Sequence, residues 1–158
     1  MSQHQQTIIF KRVVHLSHAI ASSIPQWQGD PPVEFENVAS QETDGYYLRR
    51  FCLGEHSATH MNAPISFYPN GIGIDSYPAA SLIVPAVVID IQKAAEDPDY
   101  ALALSDILKW EQQHGQIPPG SIVLAFTGWQ YKWSDTKAFF NLDADGIPHF
   151  PGFGLEAT

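Results

Sequence analysis

A single cysteine, Cys52, stands in the 158 residues, so no internal disulfide framework can form and a cytoplasmic setting is the expectation. Positive charge is scarce. Eight Lys and Arg face seventeen Asp and Glu, a formal net charge of -9, which leaves no electrostatic footprint for phosphate backbones or anionic lipid surfaces. Nucleic acid and membrane are therefore set aside as partners. No apolar run approaches the ~18 residues of a membrane span. The patch Ile8–Phe10, behind the polar residues Met1–Thr7, lacks the length of a secretory h-region, and the first residues read as a frayed start. The chain has no Gly-rich phosphate loop, no G-x-S-x-G elbow and no Cys-x-x-Cys pair, which removes nucleotide, serine-hydrolase and zinc-ribbon readings. Repeats and low-complexity tracts are also missing.

What is present suits one domain spanning residues 1–158: 44% of the residues are hydrophobic, enough for one core at this length. Val13–Ile20 opens with β-branched residues and then alternates, which predicts a first strand ending near Ser17 or His18. Ile24–Val33 holds three prolines and a glycine and must be a turn-rich loop, so Trp27 sits on a loop. Tyr46–Leu53 predicts a second strand running into Gly54–Pro64. Ser81–Ile91 is nearly continuously apolar, as a strand covered on both faces would be, with Pro85 confined to a strand start or edge. Ser105–Gly115 predicts a helix capped by Ser105 and stopped by Gly115. Ser121–Thr127 predicts another buried strand. Strands alternating with a helix indicate an α/β domain. Phe150–Thr158 reads as a loop entering a helix that has no body; because helix nucleation costs a factor of roughly 10⁻³, the expectation is a chain truncated in mid-element.

The chemistry concentrates in one stretch. His56 and His60 are separated by three residues, Asn62 follows, and Pro64 then disfavours helix. Neutral imidazoles suit Zn²⁺, Mn²⁺ or Fe²⁺. On a helix His56 and His60 share a face, whereas in an extended segment His60 and Asn62 do. Two histidines at this spacing also occur as ordinary structural residues, and spacing alone leaves both readings open.

Glu55–Phe67 resembles the signature H-x-G-T-H-x-D-x-P-x-H of the cyclase and kynurenine-formamidase family of metal-dependent hydrolases. Val14–His18 resembles the family's D-L-S-H start, and Pro25–Pro31, Thr127–Trp129 and Phe150–Ala157 match further along, so the resemblance spans residues 13–158. It implies a swivelling β/β/α-type α/β domain, with a mixed sheet flanked by helices and its C-terminal part missing. It also implies a divalent metal, zinc or manganese, held by His56, His60 and Asn62. The implied activity is hydrolysis of an amide or lactam, arylformamidase-like, on N-formylkynurenine or a related cyclic or aryl amide. A small-molecule substrate and a homo-oligomer, dimer or higher, are the implied partners.

Three positions depart from the signature: Ala58 stands for glycine, Asn62 for the aspartate and Ser66 for the last histidine. An asparagine carbonyl can coordinate, but it carries no charge and bridges two ions poorly, which favours a single metal. Ser66 occupies the position of the family's catalytic histidine, yet a hydroxyl does not titrate near neutrality as an imidazole does. The family's remaining histidine and glutamate ligands are expected beyond Thr158.

Trp27 resembles the family's aromatic substrate-pocket position, where it could stack on an aryl group; the alternative is loop packing. His18 is a second substrate-binding candidate, against an ordinary backbone-bonded histidine. Trp129 and Trp133 follow a strand end, where α/β proteins gather ligand contacts, and packing is the plainer reading. His149, between Pro148 and Pro151, could approach the metal from a third segment. The acidic stretches Glu96–Asp99 and Asp143–Gly146 read as solvated loops without metal. Against the enzyme stand two other classes: a non-catalytic metal or small-molecule binding module, and a fragment whose open core edge requires a partner.

Overall fold

The computed structural model describes residues 8–158; the expected frayed start, Met1–Thr7, lies outside the described residues. At its centre is a parallel β-α-β unit. Strand β3, Ala86–Asp90, begins directly after Pro85. Proline has no N–H to give a ladder, but its carbonyl remains, and Pro85 O accepts from Ile122 N at 2.8 Å. Pro85 thus starts the strand as its chemistry requires. Strand β5, Ile122–Phe126, runs parallel to β3 in the register Ala86↔Ile122 to Asp90↔Phe126.

Helix α2, Leu104–His114, makes the crossover between them. Its core is the buried trio Ile89, Ile91 and Leu102, against which Ile107, Trp110 and Val123 pack. The Trp110 indole N–H donates to Val88 O at 3.0 Å and pins the helix to the strand. Ser105 does not cap the helix. Ala103 is the N-cap residue, and the Asp106 carboxylate reaches back to accept from Ala103 N at 2.8 Å and from the Tyr100 hydroxyl at 2.9 Å. Half of a capping box therefore substitutes for the side chain that alanine lacks. The same carboxylate raises the Tyr100 phenol above its ordinary pKa, chiefly through that hydrogen bond. Gly115 ends the helix at φ 90°, as expected.

Two smaller pairs complete the α/β architecture. Strand β1, Glu34–Ala39, and β2, Leu48–Cys52, form an antiparallel ribbon closed by the short helix α1, Gln41–Asp44. Strand β4, Ala101–Leu102, pairs in parallel with β6, Gly152–Phe153. Helix α3, Thr136–Phe140, follows β5 after a 3₁₀ turn at Trp129–Lys132.

Several expectations need correction. The segment Val13–His18 is not a strand; it is extended chain without a ladder, and Val13 is 81% exposed. β-branched residues favour an extended backbone, but a strand exists only where a neighbour supplies hydrogen bonds, and none does so among the described residues. Strand β1 was not anticipated, because Glu34, Glu36 and Asn37 make its sequence read as loop. The β3–β5 sheet is covered on one face only: Ile89 is 3% exposed while Val88 beside it is 52% exposed.

Candidate functional site

The loop that carries the histidines leaves β2 through Gly54 and ends in a 3₁₀ turn at Pro64–Ser66. Buried Ser57 and Ala63 anchor it near its two ends. Between them the chain turns sharply at Ala58, whose φ of 56° lies in the left-handed region. That conformation costs a residue with a Cβ roughly 1–2 kcal/mol, which explains why a glycine belongs at this position of the signature. The turn carries His56 back over His60.

His56 Nδ1 and His60 Nε2 stand 3.4 Å apart. Two nitrogens bound at about 2.05 Å to a tetrahedral ion are separated by about 3.3 Å, so the pair has the span of one edge of a metal tetrahedron. The far side of His60 is also arranged. Its Nδ1 lies 3.0 Å from Ala58 O, and since a carbonyl can only accept, Nδ1 carries the proton and the Nε2 lone pair faces His56. A ligating histidine is usually oriented in this way. Asn62 lines the same cleft and carries a side-chain carbonyl oxygen, a donor type that a divalent ion accepts. Among the described residues no three His, Cys, Asp or Glu side chains converge, so the donor set is two imidazoles and one neutral amide. Donors of these types suit a single divalent ion.

The whole cleft holds about 880 Å³, and the rest of its lining is mainly aromatic. Trp27 and Pro25 come from the proline-rich loop, Phe67 from behind the histidine loop, Trp133, Phe139 and Phe140 from the region after β5, and Phe150 from the C-terminal segment. The wall after β5 is built by local bonds. Thr127 Oγ1 accepts from Trp129 N at 3.1 Å, Trp129 Nε1 donates to Phe139 O at 2.9 Å, and the Asp135 carboxylate caps α3 through Ala138 N at 3.0 Å. Trp133 meets Phe139 edge to face at 5.4 Å, and Trp27 meets Phe150 in the same way at 6.4 Å.

The expected site residues thus separate into groups. His56, His60, Asn62 and Trp27 converge on the cleft. His18 is not among its lining residues; it stacks on the back of Trp133 at 4.1 Å, and its backbone N donates to Thr59 Oγ1 at 3.1 Å. It therefore ties the N-terminal segment to both the aromatic wall and the histidine loop. Ser66 sits exposed in the 3₁₀ turn and is not among the lining residues. His149 does not approach the histidine pair; its ring nitrogens face Asp99 and Asp143. Phe67, Phe139, Phe140 and Phe150 went unnoticed in the sequence as site residues. The only available signals were the Phe139–Phe140 doublet and the adjacency of Phe67 to the histidine motif.

The Cyclase family profile matches residues 14–158. An isatin hydrolase of Roseibium aggregatum is 38% identical over 130 residues, 77% of this chain and 49% of that protein. A kynurenine formamidase of Salinibacter ruber is 27% identical over 85 residues, 52% of this chain and 40% of that protein. Among solved structures, isatin hydrolase A from Ralstonia solanacearum superposes with a TM-score of 0.84 at 33% identity, covering 92% of this chain and 60% of that one. The chain spans about half the length of the curated relatives it matches.

Proposed function

The chain belongs to the Cyclase family, and from that premise we propose that it is the metal-binding part of a hydrolase that opens an amide or lactam bond attached to an aryl ring. The observation that carries the reading is the 3.4 Å approach of His56 Nδ1 to His60 Nε2 at the end of an aromatic cleft. Relatives named for isatin and for kynurenine-derived formamides support an aryl amide as the substrate class, and the higher identity to an isatin hydrolase favours a fused-ring lactam.

His56, His60 and the Asn62 carbonyl would hold the ion. When bound, a zinc or manganese ion supplies Lewis-acid activation of a water and of the scissile carbonyl. The chain's own residues do the rest. The bond from His60 Nδ1–H to Ala58 O holds the imidazole in its ligating tautomer. Trp27, Phe139 and Phe150 offer apolar faces on which a planar ring would pack. Asn62 adds no negative charge, so it would neutralise a bound cation less, and hold it less tightly, than a carboxylate would.

A second reading, a metal or small-molecule binding module without turnover, is favoured by Ser66, which stands at the catalytic histidine position and outside the cleft lining. The test is hydrolysis of isatin and of N-formylkynurenine by the purified chain with added Zn²⁺ or Mn²⁺. Metal-dependent turnover lost in His60→Ala supports the hydrolase. Metal binding with neither substrate consumed would favour the module.

A further inference from the structure

His149 is gripped from two sides. Its Nδ1 lies 2.6 Å from Asp99 Oδ1 and its Nε2 3.3 Å from Asp143 Oδ2. A neutral imidazole has one N–H donor, so only the cationic ring can donate to both carboxylates. The two acids belong to different parts of the fold. Asp143 organises its own turn, accepting from Asp145 N at 2.9 Å and Ile147 N at 2.8 Å. Asp99 lies just before β4, and its neighbour Tyr100 accepts from Gly152 N at 3.1 Å. The His149 backbone is fixed as well, donating to Asn141 O at 3.3 Å and accepting from Asn141 Nδ2 at 2.9 Å. Among the described residues no cation faces the ring; the charged groups against it are these two carboxylates, one from its own turn and one from the packed loop.

The residues on either side of His149 are walls. Pro148 closes an apolar recess of about 230 Å³ with Trp27, Phe140 and Leu142. Phe150 lines the main cleft and meets Trp27 edge to face. Trp27 stands between the two spaces, and its partners on both sides flank one histidine.

We propose that His149 is a positioning residue for the aryl-binding wall: bridged as an imidazolium between Asp99 and Asp143, it sets Pro148 and Phe150 against Trp27, and loss of its proton loosens that wall. The inference rests on reading the cleft as an aryl site. The hydrogen bond to Asp99, then that to Asp143, raises His149 above its ordinary value. Asp143 is lowered, first by its bond from the Ile147 backbone. A group raised on folding gives its full contribution below the unfolded value of about 6.5, and that contribution fades as pH rises through the raised value. The wall is therefore tight in acid and slack in alkali.

The experiment follows the His149 ring, the nuclear Overhauser contact between Trp27 and Phe150, and calorimetric binding of indole, which has no hydrolysable bond, over pH 5–9. It compares the full chain with Asp99→Asn and His149→Gln. In the parent chain the imidazole titrates above 6.5, and across that midpoint the ring contact weakens and the indole Kd rises about fivefold, the scale of one hydrogen bond. Asp99→Asn moves all three midpoints to lower pH, and His149→Gln gives a flat profile at the weak end. A His149 midpoint below 6.5, or an indole profile that Asp99→Asn leaves in place, overturns the proposal. If the ring contact tracks the titration while indole never binds, the positioning role stands and the aryl-site reading fails.

Discussion

Ala58 is strained where a glycine would not be, and the strain sits between the two histidines. Ala58→Gly removes the left-handed cost but gives the unfolded chain more freedom; the balance predicts a gain of about 0.5–1 kcal/mol, read by urea unfolding of the metal-free chain. No gain would mean that the turn relaxes at no cost. The donor set makes a second prediction at this scale. Loss of an outer partner of a ligand usually weakens metal binding 10–100-fold, so removing the ligand itself in His60→Ala should weaken it at least ~100-fold by metal titration. Asn62→Asp, which adds a charged oxygen, should tighten it. The histidine pair was legible as a candidate because Glu55–Phe67 resembles a family signature; residue type and spacing alone left it open. Of the aromatic wall only Trp27 was singled out as a pocket residue, since Phe67, Phe139 and Phe150 come from three further segments and no local pattern announces their meeting.

Among the elements, those governed by local rules were legible. Pro85 dictates where β3 begins, Gly115 where α2 ends, and the run Ile122–Phe126 its own strand. Elements that depend on a partner were not. Val13–His18 has the composition of a strand and no ladder, whereas β1 has a loop-like composition and becomes a strand because β2 lies beside it, Glu36 opposite Arg50. The start of α2 is instructive, because Asp106 replaces the expected Ser105 cap and holds both Ala103 and Tyr100. Asp106→Ala should cost about 1–2 kcal/mol and bring the Tyr100 phenol back down toward its ordinary range, whereas Ser105→Ala should change little. Chemical unfolding and ultraviolet titration of tyrosine would distinguish the two.

At the scale of the molecule apolar faces stand open: one face of the β3–β5 sheet, where Val88 is 52% exposed, and the β1–β2 ribbon, where Phe51 is 64% exposed. Exposed apolar area of this extent drives association, and we propose that copies of the chain cover it. Sedimentation should find species heavier than the monomer, shifted toward monomer by Phe51→Lys. A monomer at every concentration would contradict this. The fold class was legible because alternating strands and helix specify it; the uncovered faces were not, because an apolar strand reads the same whether or not anything lies over it. The central claim remains that His56, His60 and Asn62 hold one divalent ion, and elemental mass spectrometry of the purified full chain tests it most directly. About one equivalent of zinc or manganese, absent from His56→Ala/His60→Ala, is the predicted result; a metal content the same in both proteins would contradict it.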